Sequence, residues 1–281
     1  MAVYTPNNAF ASCYSSDSAV LSRLIDSVET SLLTLNNISK SFNKATAVNE
    51  FSHAMDAGTT TVVIGPSGCG KSTLLKIITG LLAADSGEVY LGGAMLAAGN
   101  LSQLRRQMGY VIQEGGLFPH LTAFANVVIM ARHLGWSDEQ IGARVQELRE
   151  LVQLGADELQ RYPSELSGGQ RQRVSLMRAL MLDPALLIMD EPLGALDPMI
   201  RYELQQQLRE IFESLHKTVF MVTHDLAEAA FFADRIVLMN RGGIEQEGSY
   251  DELVEQPACE FVERFILAQR QAPASGRGRR Q

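Results

Sequence analysis

Residues 65–72 form a glycine-rich segment that ends in a lysine and a serine. The segment reads Gly-Pro-Ser-Gly-Cys-Gly-Lys-Ser and matches the pattern G-x-x-x-x-G-K-S/T. Glycines let the backbone N–H groups of such a loop point at phosphate oxygens, and a helix beginning there presents its positive end to the same anion. Lys71 would add a charge for the β- and γ-phosphates, and the Ser72 hydroxyl is an oxygen ligand suited to Mg²⁺. The pattern therefore predicts a nucleotide site between a strand and a helix.

Two adjacent carboxylates, Asp190 and Glu191, follow the short apolar run Leu186–Met189. Buried strands of an open α/β sheet end at the edge where ligands bind, so Asp190 is placed to hold Mg²⁺. Glu191 could orient and deprotonate a water that attacks the γ-phosphate. Two acids can also simply cap a strand in solvent, but the phosphate loop upstream favours the catalytic interpretation.

Short apolar runs alternate with helical patterns along the chain. The apolar runs predict buried strands at Thr60–Ile64, Leu186–Met189, Val219–Val222 and Ile236–Met239. Helical spacing predicts helices over Thr73–Leu82 and along a stripe formed by Ile200, Leu204, Leu208, Ile211 and Leu215. This alternation is typical of an α/β fold with a mainly parallel sheet.

A different pattern occupies the middle of the chain. Ser137 and Gln140 form a capping box, and an apolar stripe from Ile141 to Val152 follows it. We therefore expect a helical subdomain at about residues 115–165, inserted into the α/β core.

The composition excludes several classes of protein. With 281 residues, 46% of them hydrophobic and 20% charged, the chain is typical of a folded globular protein. No apolar run is long enough to span a bilayer, and three scattered cysteines do not make a disulfide framework. The net charge of −8 argues against a nucleic-acid partner. Residues 1–30 are expected to be a flexible extension, and residues 269–281 a disordered basic tail.

Two further motifs complete a recognisable set. Leu166-Ser167-Gly168-Gly169-Gln170 precedes the carboxylate pair, and His224 follows it. With these motifs, residues 31–268 resemble the ATP-binding subunit of an ABC transporter. The resemblance implies a P-loop NTPase core with a mainly parallel sheet, an antiparallel β edge and an inserted helical subdomain.

The resemblance also implies roles for particular residues. Two subunits would pack head to tail, so that the segment 166–170 of one closes over the γ-phosphate held by the other. Gln113 would sense Mg²⁺ and water, and His224 would bind the γ-phosphate and hold Glu191 in line. Phe42 would stack on adenine. The residues expected to contact ATP are Phe42, Gly65, Pro66, Ser67, Gly68, Cys69, Gly70, Lys71, Ser72, Thr73, Ser167, Gly168, Gly169, Gln170 and Asp197, the last in a loop (Gly194-Ala195-Leu196-Asp197) that crosses the dimer interface. The Mg²⁺ ligands are expected from Ser72, Gln113 and Asp190.

The loop after Gln113 carries a finer resemblance. Its Leu117–His120 segment, together with Pro257, Phe261 and Phe265, is similar to bacterial importers of glycine betaine and other quaternary amines. The implied partners are membrane permease subunits and, indirectly, a solute-binding protein, with the chain peripheral on the cytoplasmic face of the inner membrane. Only 16 residues follow Phe265, so we expect no C-terminal regulatory domain.

Other classes explain fewer of these residues. A soluble ABC-type ATPase of translation or DNA repair would carry two cassettes or long coiled-coil insertions. A P-loop kinase or GTPase would leave residues 166–170 and His224 unexplained. The sequence does not separate an importer of quaternary amines from an importer of another small solute or from an exporter subunit.

Overall fold

The computed structural model describes residues 31–43, 45–194 and 196–271. The two ends of the chain, where the sequence predicts a flexible extension and a basic tail, lie largely outside these ranges. One part of the tail prediction is wrong, because residues 269–271 belong to the last helix. The side-chain amide of Gln269 there donates to the backbone oxygen of His224 at 3.0 Å, which ties the end of that helix to the body of the protein.

A six-stranded sheet forms the centre of the fold. Its strand order is β10-β9-β3-β8-β7-β6, with β9, β3, β8, β7 and β6 parallel and β10 antiparallel at one edge. The strands are β3 (Thr60–Ile64), β6 (Met108–Val111), β7 (Leu186–Asp190), β8 (Thr218–Val222), β9 (Arg235–Asn240) and β10 (Gly243–Gly248). The four apolar runs of the sequence are all strands of this sheet, which confirms the predicted α/β fold.

A second, antiparallel sheet packs beside the first. It contains β1 (Ser31–Phe42), β2 (Ala45–Asp56), β4 (Ser86–Leu91) and β5 (Ala94–Met95), in the order β2-β1-β4-β5. The antiparallel strands expected from the family resemblance therefore lie in two places. Four of them form this separate sheet, and β10 lies at the edge of the central sheet.

Nine helices of the described residues surround these sheets. They are α1 (Lys71–Ile78), α2 (Leu101–Arg105), α3 (Ala123–His133), α4 (Asp138–Leu151), α5 (Gly168–Leu180), α6 (Pro198–Ser214), α7 (Leu226–Phe232), α8 (Tyr250–Glu255) and α9 (Glu260–Gln271). None of them is long and apolar enough to cross a membrane. Helix α1 ends earlier than the sequence predicts, because Gly80 adopts a left-handed conformation with φ +66°.

The two faces of the central sheet serve two different cores. Side chains alternate along a strand, so Val62 and Ile64 face one core while Val63 faces the other. The first core receives α3 to α9. The second receives α1 and the antiparallel sheet, including Leu33 and Phe51. Helix α1 is therefore held between the two sheets, with the phosphate loop at its amino end.

Residues 115–165 contain α3, α4 and two short 3₁₀ turns but no strand. The capping box of Ser137 and Gln140 is present at the start of α4, and Ile141, Val145 and Leu148 are buried. Because α3 packs on α5 and shares the first core, the division of this region into a subdomain stays a prediction.

Candidate nucleotide-binding and catalytic site

The carboxyl ends of four parallel strands meet at one edge of the central sheet. Val222 of β8 lies opposite both Val63 of β3 and Asp190 of β7. Val111 of β6 lies opposite Met189 of β7. The segments that follow these strands carry the phosphate loop, the loop glutamine, the carboxylate pair and the histidine. Parallel pairing thus brings together motifs that are far apart in the sequence.

The phosphate loop, residues 65–72, has a backbone that only glycine could adopt at two of its positions. Gly65 has φ +154°, and a Cβ there would lie 2.1 Å from the backbone oxygen of Met239. Gly70 has φ +114°, and a Cβ there would lie 2.0 Å from the backbone oxygen of Ala47. Gly70 is also the residue before α1, and no side chain of the described residues caps that helix. The first N–H groups of α1 therefore lack a side-chain acceptor in this part of the chain, as an anion site requires.

Lys71 lies inside this loop and is only 7% exposed. Its ammonium group donates to the backbone oxygens of Gly65 at 2.7 Å and Pro66 at 3.2 Å. These carbonyls keep the Lys71 ammonium group at the loop, from where it could reach phosphate oxygens. Ser67, Gly68 and Ser72 are exposed on the same loop.

The Cys69 side chain faces away from solvent. It is 4% exposed and belongs to the second core, with its sulfur 3.7 Å from the Lys71 ammonium. A small buried side chain that fits the loop accounts for this position, so any contact with nucleotide would come from the backbone.

Asp190 is a half-buried carboxylate at the end of β7. Burial and the neighbouring charge of Glu191 raise its pKa, whereas a hydrogen bond from Tyr110 and the charges of Lys76 and Lys71 oppose that rise. Burial, with the charge of Asp190, raises the pKa of Tyr110 to about 12. Lys71 therefore acts electrostatically on Asp190, which relates the phosphate loop to the carboxylate pair.

Glu191 lies between the glutamine and the histidine that the resemblance associates with it. Its Oε2 accepts from Gln113 Nε2 at 3.5 Å and lies 3.2 Å from His224 Nδ1. Its backbone is left-handed, with φ +44°, and its N–H donates to the oxygen of Val222 at 3.0 Å. A non-glycine residue in this conformation is strained, and such strain is concentrated at functional sites.

Phe42 lies at the end of β1, at the tip of the β1–β2 hairpin. Its ring is 46% exposed and lies 5.8 Å from the Lys40 ammonium. The same hairpin approaches the phosphate loop, because Ala47 faces Gly70. An exposed ring on a hairpin that approaches the loop is compatible with adenine stacking, and that role stays a prediction.

The signature segment, residues 166–170, begins helix α5. Ser167 Oγ accepts from the N–H of Gln170 at 3.2 Å, and Gln170 Oε1 accepts from the N–H of Ser167 at 2.8 Å. Gln170 also donates to Glu158 at 2.5 Å. Within the described part of the chain, no hydrogen bond or ion pair joins this segment to the phosphate loop.

Asp197 caps helix α6, and its side chain accepts from the N–H of Met199 at 3.0 Å. Leu196 lies beside the signature segment, 3.1 Å from where a Cβ on Gly168 would be. Ala195, the centre of the predicted interface loop, lies outside the described residues.

The apolar spacing of α5 predicts that its three arginines point outward into solvent, but the structure places them differently. Arg171, Arg173 and Arg178 are half-buried and donate to backbone oxygens. Arg178 binds the oxygens of Gly116 and Gly115 at 2.9 and 3.1 Å, and burial lowers its pKa. Long arginine side chains can cover apolar surface and still reach carbonyl groups, which the spacing of residues does not reveal.

Sequence reasoning missed one supporting residue, Asn126. Asn126 is fully buried, and its side chain binds the backbone at Phe118, Leu121 and Thr122, which fixes the loop after Gln113. A lone polar residue in the apolar pattern of α3 was the available signal.

The oxygen donors at this edge fit a hard divalent cation. Ser72 offers an exposed hydroxyl, and Asp190 offers a carboxylate held at the end of a strand. Burial disfavours the bare charge of Asp190, so a cation there would relieve an unfavourable state.

The sequence matches the model of a known family. Residues 48–194, just over half of the chain, match the family described as ABC transporter.

Curated relatives cover more of the chain. It is 44% identical over 240 residues to the choline transport ATP-binding protein OpuBA of Bacillus subtilis, covering 85% of this chain and 63% of that protein. It is 46% identical over 241 residues to the sulfate/thiosulfate import ATP-binding protein CysA of Burkholderia mallei, covering 84% of this chain and 68% of that protein. The chain thus spans less than two thirds of the length of OpuBA.

A solved structure has the same fold. It is a dimeric, post-hydrolysis state of the ATP-binding cassette MJ0796 bound to ADP and Pi. The TM-score is 0.70 at 33% identity, and the match covers 78% of this chain and 98% of that one. The motifs predicted from the sequence and these similarities agree: the chain belongs to the ABC transporter family and has the fold of its ATP-binding cassettes.

Proposed function

We propose that this chain is the ATP-hydrolysing subunit of an ABC importer. The observation that carries the proposal is the placement of Glu191 between Gln113 and His224, on the sheet edge that also carries the phosphate loop. A carboxylate held by two polar side chains beside a lysine-containing anion site fits the hydrolysis of a nucleoside triphosphate.

The phosphate loop would bind the β- and γ-phosphates of ATP. Its N–H groups and the start of α1 attract the anion, and Lys71 exchanges its carbonyl partners for phosphate oxygens. Phe42 would provide a face for the adenine.

Ser72, Gln113 and Asp190 would hold Mg²⁺, which neutralises charge on the phosphates when it is bound. The protein's own residues supply the remaining chemistry. Glu191 would orient the attacking water and accept its proton, while His224 would fix the Glu191 carboxylate through the 3.2 Å contact and bind the γ-phosphate.

The second half of the site would come from another copy of the chain. The signature segment makes no hydrogen bond to its own phosphate loop in the described structure, and the similar cassette MJ0796 is a dimer with ADP and Pi. We infer a head-to-tail dimer in which Ser167, Gly168 and Gly169 of one copy cover the γ-phosphate of the other, with Asp197 at the interface.

The relatives support the proposed permease partner and solute. Choline transport, named for OpuBA, supports import of quaternary amines, in agreement with the segment around Phe118. The cassette would lie on the cytoplasmic face of the membrane against separate permease subunits. A second candidate, import of an oxyanion, is favoured by the 46% identity to the sulfate/thiosulfate protein.

Co-purification from membranes tests this proposal. The tagged chain should retain permease subunits, and in vesicles its ATPase rate should rise with choline or glycine betaine and the matching binding protein. Stimulation by sulfate alone would favour the second candidate. Absence of both ATPase activity and a membrane partner would contradict the proposal.

A further inference from the structure

Glu228 is a buried carboxylate in the first turn of α7, four residues after His224. It is 2% exposed, and its Oε2 accepts from the hydroxyl of Thr223 at 2.6 Å. Thr223 is itself 1% exposed. Acidic side chains are almost never buried so completely unless they are paired, so this pair needs an explanation.

Ordinary helix capping does not explain Glu228. In a capping box, the third helical residue accepts from the N–H of the cap residue, which is Asp225 here. That N–H donates instead to Thr223 Oγ1 at 3.1 Å. The result is a chain of two hydrogen bonds, from the Asp225 N–H to the Thr223 hydroxyl and from that hydroxyl to Glu228.

Hydrogen bonds hold the backbone N–H groups of the two residues that flank His224, Thr223 and Asp225. The N–H of Thr223 donates to the oxygen of Val63 at 3.1 Å, close to the start of the phosphate loop. The Asp225 N–H is held by the Thr223 hydroxyl. The backbone of His224 therefore has little freedom, although its ring is exposed and contacts Glu191 through Nδ1.

The surroundings of Glu228 act on its pKa in both directions, and its hydrogen bond fixes the Thr223 hydroxyl. The pKa of Glu228 is raised, because burial and the charge of Asp225 outweigh the Thr223 hydroxyl and the charges of Arg201 and His224, which act in the opposite direction. Arg201 reaches Asp225 at 3.7 Å from helix α6. Because Glu228 Oε2 accepts from the Thr223 hydroxyl and the hydroxyl oxygen accepts from the Asp225 N–H, these two contacts fix the direction in which the hydroxyl points.

We propose that Glu228 is a positioning residue that holds His224 against Glu191 through the Thr223 hydroxyl. The inference rests on the proposed ATPase function and adds a residue to that same site. Catalytic side chains need supporting hydrogen bonds, because a small displacement of a reacting group lowers the rate strongly.

Substitutions at both ends of the pair test the inference by steady-state ATPase kinetics. Thr223→Val keeps the shape of the side chain but removes the hydroxyl, and it should lower kcat about tenfold or more while KM for ATP changes less than about twofold. Thr223→Ser should restore the rate. Glu228→Gln retains an oxygen that accepts from the hydroxyl, so its kcat should fall less than that of Glu228→Ala. The double variant Thr223→Val with Glu228→Ala should lose no more kcat than the worse of the two single variants.

Glu247→Gln is the matched control. Glu247 is a largely buried carboxylate of β10 paired with His53 at 3.0 Å, outside the proposed site. It should lower the unfolding temperature but leave kcat unchanged, which separates positioning from a loss of stability.

Hydrogen exchange at the Asp225 amide gives a readout that does not depend on activity. Thr223→Val and Glu228→Ala should both speed this exchange, because the amide loses its ordered acceptor. Unchanged exchange, or wild-type kcat in Thr223→Val, would overturn the inference. A wild-type chain without ATPase activity contradicts the proposed function instead.

Discussion

The phosphate loop and the signature segment both precede a helix and both contain glycines, yet the two helices begin differently. Helix α1 follows Gly70, which has no side chain to cap it. Helix α5 follows Ser167, whose hydroxyl accepts from Gln170 in a capping box. The first helix leaves its N–H groups for a ligand, whereas the second uses one of them itself.

The two regions also differ in charge. Lys71 lies inside the phosphate loop, and its ammonium is held by two backbone oxygens of that loop. The cation next to the signature segment in sequence, Arg171, donates to the oxygen of Leu166 at 2.7 Å. Because its cation lies within the loop, we expect the phosphate loop to bind phosphate without help from a second surface. We expect the signature segment to contact only a phosphate that another copy of the chain already binds.

The largest difference expected between these two regions is in nucleotide affinity. Lys71→Ala should weaken ATP binding by the isolated chain about 10- to 100-fold, because a charge-assisted contact to phosphate is lost. Arg171→Ala is the matched change in the signature segment and should leave that affinity unchanged. Titration with a fluorescent ATP analogue measures both, and equal losses would remove the distinction between the two regions.

A smaller effect is expected on stability from glycine substitutions. Gly70→Ala places a Cβ 2.0 Å from the Ala47 oxygen in a left-handed backbone, so it should cost about 2 kcal/mol or more of unfolding free energy. Gly168→Ala meets two flexible side chains, Leu196 at 3.1 Å and Arg171 at 3.9 Å, and should change the unfolding free energy by less than about 0.5 kcal/mol. Urea unfolding compares them, and a tolerated Gly70→Ala would contradict the described loop.

Asp190→Asn should stabilise the protein at neutral pH while it abolishes hydrolysis. The folded pKa of Asp190 is raised above 3.8, so its charge destabilises the fold above that pKa. The gain in unfolding free energy from the substitution should shrink as the pH falls from the folded pKa of Asp190 through 3.8. Urea unfolding over this pH range measures it.

Asp85→Asn is the control with the opposite sign. Lys40 holds the pKa of Asp85 below its usual range, so that charge stabilises the fold above pH 3.8 and the contribution is lost as pH falls through the folded pKa. Asp85→Asn should therefore destabilise at neutral pH. If Asp190→Asn also destabilised the protein at neutral pH, the charge of Asp190 would not be unfavourable to folding as described above.

The smallest effect is expected at the helix cap of the signature segment. Ser167→Ala should cost about 1 kcal/mol of unfolding free energy, since the hydroxyl no longer accepts from Gln170. Ser167→Asp should keep the cap but weaken ATP-dependent dimers, because its charge would face the partner's phosphate. Light scattering with ATP separates the two variants, and normal dimers of Ser167→Asp would argue against the head-to-tail arrangement.

The sequence predicted the elements best where one local pattern determined them. The strand Thr60–Ile64 and the capping box at Ser137 needed only neighbouring residues, and both are present as predicted. The family resemblance supplied the pairing of His224 with Glu191, which are 33 residues apart in the sequence and meet through the register of β7 and β8.

Contacts between distant side chains could not be predicted in this way. The buried His53, which matched no motif, pairs with Glu247 across 194 residues of sequence. Arg178 was expected in solvent but holds the loop at Gly116. Both depend on how the sheets and helices pack, and residue spacing within one element contains no information about that.

Single-turnover hydrolysis by Glu191→Gln tests the central claim most directly. The substituted amide would keep the size of the side chain but could not accept a proton from water. The account predicts that hydrolysis falls at least about 100-fold while ATP affinity stays within about twofold, and that ATP-bound dimers accumulate. Hydrolysis by Glu191→Gln at close to the wild-type rate would contradict it.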